Sequence, residues 1–429
     1  MMEKLRIPIV LLLILFFFAP AYASEPEREK PADDPQALEK TTSEMPSEAA
    51  IKTEPGIREP LPGPNIAPYR SNPVAVKAVD NSISLFSDRI RERFSLYLSR
   101  SGKYLELMKE ILKNKNIPED IVFLSLIESG FNPYAYSVAR AVGPWQFISS
   151  TARRYGLVID WWRDERRDPV KSTEAAADYL KDLHGMFGSW NLAMAAYNAG
   201  EGKILRALRR SKSDDYWSLL KTRHIRKETK NYVPHFIAAS MIAVNPEEYG
   251  FKNIEYHQPF DYDEVTVTGP LDLEVAAKCA DTTVTVIREL NPELRRWCTP
   301  PDMPLYILRI PAGSKEIFLQ NLADIPEDER FTIETYTVKK GETIDRIAKK
   351  EGVTVKAILA LNSMSRIIPL KPGALISLPP KEKFELDRDD RFEMRKASYK
   401  KSKKRKIVKA KHKKLFVTSL NIKKNSASN

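Results

Sequence analysis

Glu128 closes an almost wholly apolar run, Ile121-Val122-Phe123-Leu124-Ser125-Leu126-Ile127. A run apolar on every side reads as a buried helix, and burial favours the neutral form of a carboxyl. The negative end of the helix dipole acts in the same direction. Ile121, Leu124 and Ser125 share its face, and none carries a charge that would neutralise it. Two readings of this acid stand on the residues alone: a structural carboxylate paired with an arginine, or a proton donor to a leaving group.

Other chemistry-bearing residues narrow the field. The five histidines, His184, His224, His235, His257 and His412, never fall at metal-ligand spacing, so neither a metal nor a cofactor is expected. In Trp161-Trp162-Arg163-Asp164-Glu165-Arg166-Arg167-Asp168-Pro169 the acids alternate with arginines. That pattern reads as an ion-pair turn leading to the helix after Ser172, not as a second catalytic carboxylate.

The elements that position these residues follow from composition and periodicity. A chain of 429 residues, 42% of them apolar, is long enough for two or three domains with a sizeable core. Its charge of +12 is confined to the end: from Lys381 to Asn429 there are 18 basic and 6 acidic residues, and the remainder is balanced. The folded part therefore has no electrostatic signature of nucleic-acid binding. Residues 1–23 combine Lys4 and Arg6, an apolar run from Ile7 to Ala19, and Ala21-Tyr22-Ala23 before Ser24, the pattern of a cleavable signal peptide. The expectation is export to the periplasm or cell envelope; with no cysteine near the cleavage site, no lipid anchor is expected. Cys279 and Cys298, a close pair in an exported chain, are expected to form one disulfide.

Residues 24–78 are rich in proline and charge, and read as a disordered linker. From 79 to 251 the spacing is helical, with faces Ile83, Phe86, Ile90, Phe94, Tyr97; Tyr104, Leu107, Met108, Ile111; Ala176, Leu180, Leu183, Phe187; and Tyr232, Phe236, Ala239, Ala243. This is an all-α domain. Residues 334–380 read as strand, helix, helix, strand. A shift of 71 positions lays Val338 on Val267, Ile344 on Leu273, Ala348 on Ala277, Ile358 on Ile287 and Asn362 on Asn291. Residues 256–312 are thus a degenerate copy of the same α+β module. The segment 381–429 is a basic disordered tail, suited to anionic envelope polymers or a phospholipid surface if it binds anything.

Four blocks surround Glu128 in order: Glu128-Ser129 with Phe131-Asn132-Pro133 and Ser137; Gly143-Pro144-Trp145-Gln146-Phe147; Ala196-Tyr197-Asn198-Ala199-Gly200; and Glu228-Thr229 before Tyr232-Val233-Pro234. Together they resemble the family 1 lytic transglycosylases. The repeat at Tyr336 to Pro379 resembles a LysM module. The resemblance implies a multidomain chain: an all-α, goose-type-lysozyme-like catalytic domain followed by small βααβ LysM-like modules.

It further implies that Glu128 acts alone as acid and then base, while Ser137, Gln146, Tyr197, Asn198 and Tyr232 line a substrate groove. The substrate would be peptidoglycan glycan strands, cut between N-acetylmuramic acid and N-acetylglucosamine to leave 1,6-anhydromuramoyl ends. Each lining residue also has a structural reading: Tyr197 and Tyr232 as core aromatics, Asn198 with Gly200 as a helix terminus, and Gln146 as a helix-start hydrogen bonder. Arg140 departs from the small residue found in many relatives. A hydrolytic muramidase or chitinase, and a non-catalytic peptidoglycan-binding protein, remain as alternatives at this point.

Overall fold

The computed structural model describes residues 67–391 and 394–395. The signal peptide expected at 1–23, most of the linker and most of the basic tail lie outside the described residues. The chain forms two compact units: the described residues through Thr151 with Thr173–Tyr256, and Ala152–Ser172 with the described residues from His257 onward. Among the described residues no helix is long and apolar enough to cross a membrane.

The helices up to Val244 are α1 (Pro73–Ser84), α2 (Arg91–Asn114), α3 (Phe123–Ser129), α4 (Ser149–Arg154), α5 (Pro169–Phe187), α6 (Trp190–Ala199), α7 (Glu201–Ser211), α8 (Tyr216–Leu220) and α9 (Lys227–Val244). In the first unit α9 is the central element, packed against α1, α3 and α6. Tyr232, Val233, Phe236, Ala239 and Ile242 are all buried, so α9 is apolar nearly all round, as an enclosed helix must be. Its interior holds Pro234, which lacks an N–H and leaves the carbonyl of Lys230 without its helical donor. The hydroxyl of fully buried Tyr216 takes that place, 2.8 Å from the Lys230 oxygen and 3.0 Å from that of Thr229.

The second unit contains two modules of the same pattern. The first runs β1 (Tyr262–Thr268), α10 (Leu273–Cys279), α11 (Val284–Leu290), β2 (Leu305–Pro311), and is extended by α12 (Lys315–Ala323). The second runs β3 (Glu334–Thr337), α13 (Ile344–Glu351), α14 (Val355–Leu361), β4 (Leu375–Leu378). Each pair of strands is antiparallel, with Val265 opposite Leu308 and Tyr336 opposite Ile376. The repeat is most exact at one residue. The Asn291 amide donates to the carbonyls of Ile287 and Arg309 and accepts from the Arg309 N–H, at 2.7 to 2.9 Å. Asn362 makes the same three bonds, to Ile358 and Ser377. In both modules one side chain ties the end of the second helix to the returning strand, so an amide with its hydrogen bonds satisfied, buried at Asn291 and half-buried at Asn362, specifies the closure.

The ion-pair turn belongs to this second unit. Asp164 forms a two-point, fully buried pair with Arg166 at 2.8 and 2.7 Å. The Asp164 N–H donates to the Glu293 carbonyl at 2.9 Å, and Asp168 pairs with Arg309 at 2.9 Å. Tyr306 donates to Glu293 at 2.7 Å, while burial and the charge of Asp168 hold that carboxyl above its ordinary range.

Several expectations are corrected. The linker does not reach 78: residues 67–71 form a 3-10 helix, and α1 starts at Pro73 because the Asn72 side chain caps the Val74 and Ala75 N–H groups. The first apolar face is not carried by one continuous helix: Ile83 lies on α1, whereas Phe94 and Tyr97 lie on α2 with the whole second face. A π-helical turn at Leu85–Arg89 divides α1 from the long α2, with Phe86 and Phe94 stacked across it at 4.6 Å. The first module continues past 312, since Phe318 on α12 is buried in its core. The tail is ordered at its start: Arg296 pairs with Asp390 at 2.7 Å and Lys383 with Asp272 at 2.7 Å, so this segment supplies an acid to a buried cation and a cation to a buried acid.

The Cys279–Cys298 disulfide is absent; both thiols are free and buried. Cys298 bridges to Asp272, just before α10, whereas Cys279 ends that seven-residue helix. The helix separates them by about 10 Å, beyond the roughly 7 Å that a disulfide tolerates. The two also occupy different cores.

Two substitutions test this packing. Arg309→Leu leaves Asp168 buried without its cation and is expected to destabilise the second unit by roughly 3 to 5 kcal/mol in denaturant melts. Tyr216→Phe removes the donor that covers the proline gap and should cost roughly 1 to 3 kcal/mol in the first unit; an unchanged melt for either contradicts the role given.

Candidate active site

The acid is placed by the way α3 ends. Gly130 caps the helix in the left-handed region at φ 60°, its N–H donating to Leu126 at 2.9 Å. The Tyr97 ring lies against it so closely that a Cβ would stand 2.1 Å from a ring carbon. Only glycine fits there. Arg100 donates to the Gly130 carbonyl at 2.6 Å, so the chain leaves α3 just past Glu128 along a fixed path.

The next wall is the Gly143 to Phe147 loop, which two serines of α3 hold. Ser129 donates to the Pro144 carbonyl at 2.8 Å and Ser125 lies 3.2 Å from it. Trp145 is fully buried, its indole N–H donating to Thr173 at 2.8 Å. The Trp145 carbonyl accepts from the Tyr197 hydroxyl at 2.7 Å. Helix α6, which carries Tyr197 and Asn198, is thereby joined to the same loop.

From the opposite side α9 supplies Tyr232, whose hydroxyl donates to Glu128 Oε1 at 2.6 Å. One turn earlier on α9, Glu228 accepts from the Asn198 amide at 3.4 Å, and Thr229 donates to the Asn198 carbonyl oxygen at 3.0 Å. The Glu128 residue keeps some exposed surface, but its carboxyl is pushed up to about 7 by desolvation. The Tyr232 hydrogen bond opposes that rise, and the charge of Glu228 adds to it. Burial comes first and the Glu128 charge second in holding the hydroxyls of Tyr197 and Tyr232 well above the ordinary tyrosine range. Both tyrosines stay neutral donors. With Oε1 occupied by Tyr232, Oε2 is the oxygen left to carry a transferable proton near neutral pH.

The structure thus gathers Glu128, Tyr197 and Tyr232, with Asn198 joined to them through Glu228. Ser137 and Gln146 serve their own loop: Ser137 Oγ accepts from the Ala141 N–H at 3.0 Å, and the Gln146 amide donates to the Gly143 carbonyl at 2.8 Å. Gln146 is itself left-handed at φ 49°, a turn conformation and not the helix start considered from sequence. Glu228, quoted in the fourth block but given no role from sequence, is the further charged residue whose field reaches Glu128. Its position four residues before Tyr232 is the signal, because that spacing puts both side chains on one helical face.

The Transglycosylase SLT domain family matches residues 106–220, the family described as lytic transglycosylase MltD, LysM-like domain, matches 261–327, and the LysM domain matches 336–379. The chain is 33% identical over 316 residues to membrane-bound lytic murein transglycosylase D of Escherichia coli, covering 68% of this chain and 69% of that protein. It is 27% identical over 159 residues to membrane-bound lytic murein transglycosylase C of Haemophilus ducreyi, covering 31% and 43%. Among solved structures, the 70 kDa soluble lytic transglycosylase of Escherichia coli aligns with a TM-score of 0.29 and 23% identity over 36% of this chain and 26% of that one.

The electrostatics of Glu128 are testable by carboxyl NMR titration. Tyr232→Phe is expected to move its midpoint above 7, because a bond to the ionised form is lost, and Glu228→Gln to move it below 7, because a like charge is lost. A raised folded midpoint means that the folded state holds the proton longer than the unfolded one, so stability falls as pH rises from about 4.5 to about 7. Glu128→Gln should therefore melt higher than the parent at pH 8 and not at pH 4. Equal differences at the two pH values would contradict the assignment.

Proposed function

The chain belongs to the membrane-bound lytic murein transglycosylase D family and is a peptidoglycan lytic transglycosylase, and on that premise we propose that Glu128 is its single acid and base. The observation that carries this reading is the carboxyl raised to about 7 with one oxygen held by Tyr232 at 2.6 Å.

In the first step protonated Glu128 gives its proton to the oxygen linking N-acetylmuramic acid to N-acetylglucosamine. The bond from that oxygen to the muramic C1 breaks, and the sugar's own N-acetyl group stabilises the oxocarbenium-like centre. Glu128, now a carboxylate, takes the proton from the C6 hydroxyl of the same sugar, whose oxygen closes on C1. The strand ends in 1,6-anhydro-N-acetylmuramic acid, no water is added, and Glu128 is protonated again. Desolvation suits both halves, since a group with a midpoint near the working pH both gives and receives a proton readily. Tyr232 steadies the carboxylate between the two steps.

Tyr197 and Asn198 line the groove on the α6 side, while Ser137 and Gln146 act indirectly by bracing the loop on its other side. The LysM module at 336–379 and its degenerate partner hold the chain on the wall and raise the local concentration of strand. The chain acts after export, in the periplasm or cell envelope, where the basic tail adheres to anionic polymers or phospholipid headgroups.

A second reading has one observation in its favour. Glu228 is a second carboxylate close enough to influence Glu128, and a hydrolase that activates water would use such a partner. Product mass separates the two, because the transglycosylase product is lighter by one water. On purified sacculi, Glu128→Gln should lower the release of anhydro ends by roughly 100- to 10,000-fold while sedimentation with sacculi is retained. Parental activity should decline as pH rises through about 7, as the proton-donating form is depleted. Hydrated ends, or full activity in the variant, overturn the reading.

A further inference from the structure

Beside the Glu128 site, within the same unit, a pocket of about 180 Å³ opens between α7, the end of α6 and the start of α9. It begins where the catalytic groove ends, for Asn198 and Glu228 are part of its wall. The rest of its rim has a different chemistry. Lys203, Arg206 and Arg210 line it from α7, and Arg226 lines it from the turn before α9. The spacing of the three α7 cations places them along one stripe of the helix, while Ile204 and Ala207 of that helix are buried. Glu228 is the pocket's acid, and its carboxylate is engaged with Asn198.

The pairing of the arginines matters most. Elsewhere in this unit Arg100 is engaged on the Gly130 carbonyl, Arg91 on the Gly250 carbonyl and the Phe251 ring, and Arg93 on the Tyr97 ring. Arg206, Arg210 and Arg226 have no carboxylate within ion-pair distance among the described residues. They are exposed, and their like charges repel where they converge. Such an arrangement stabilises an anion entering from outside more than it stabilises the fold. Guanidinium forks suit a planar carboxylate in particular.

We propose that this pocket is a subsite for a carboxylate of the peptide stem carried by the muramic acid next to the cleaved bond. The proposal rests on the transglycosylase reading of Glu128, since that reading brings the strand to Asn198 and Glu228. A muramic acid at the cleavage point carries its stem on the lactyl group, and free carboxylates occur along that stem. Their charge matches the rim, and the common wall places the pocket beside the sugar that reacts. Stem recognition then contributes to binding through the α7 cations, separately from proton transfer at Glu128. Because the cations are exposed, the attraction is screened by salt.

The experiment uses the full chain on three soluble glycan substrates: strands with intact stems, strands stripped of stems by an amidase, and strands whose stem carboxylates have been converted to amides. Anhydro ends are counted by mass spectrometry as a function of substrate concentration. In the parent, KM should be about fivefold lower on intact strands than on stripped or amidated ones, with the advantage lost at high salt. The double variant R206Q/R210Q should erase that ratio, and R226Q, on a different element, should reduce it. An undiminished ratio in the variants, or amidated strands binding as well as intact ones, overturns the subsite and leaves the Glu128 chemistry standing. If the parent makes no anhydro ends on any of the three, the Glu128 reading fails and the subsite falls with it.

Discussion

The first unit depends on one contact, the 2.6 Å hydrogen bond from the Tyr232 hydroxyl to the Glu128 carboxyl. It joins the end of one buried helix to the middle of another, and it does so around a group that burial would rather keep neutral. A carboxyl held to about 7 instead of 4.5 represents on the order of 3 kcal/mol of preference for its protonated form. Desolvation supplies that preference, and Tyr232 offsets only part of it. The Tyr232 bond favours the ionised form and burial favours the protonated one. The two together give a group that exchanges a proton in the neutral range.

The surroundings of that contact keep it from relaxing. Tyr97 fills the space beside Gly130, Ser125 and Ser129 hold the Pro144 carbonyl, and Trp145 is fixed at both its indole and its backbone. On the α9 side, Tyr216 closes the gap that Pro234 opens two residues from Tyr232. Most of these supports engage backbone carbonyls and not other side chains. They set the position of the chain itself, which is what a rigid catalytic geometry needs.

The second unit solves a different problem. Its two modules are small, with one antiparallel strand pair each, and small cores need extra closure. Asn291 and Asn362 provide it identically in both. Buried ion pairs complete it: Asp164 with Arg166, Asp168 with Arg309, and Arg296 with Asp390. These pairs contribute less to net stability than their short distances suggest, because each charge has been taken out of water. Removing one member is nonetheless costly, so they fix which segments may pack together.

The amino-acid sequence by itself determined the apolar helix ending in Glu128, the four blocks around it, the all-α and βααβ division, and the repeat in which Asn291 corresponds to Asn362. Those features are written in periodicity, caps and residue types a few positions apart, where helix and strand geometry convert spacing into a face. Tertiary structure decided the rest. Tyr232 meets Glu128 across 104 positions of chain, Glu228 meets Asn198 across 30, and Asp387 and Asp390 of a tail that reads as featureless settle on Arg295 and Arg296. Residues 152–172 joined the second unit although they lie between helices of the first, and the two cysteines fell at opposite ends of α10. Charge pairing and desolvation act through space and depend on which surfaces exclude water together, and no local pattern encodes that.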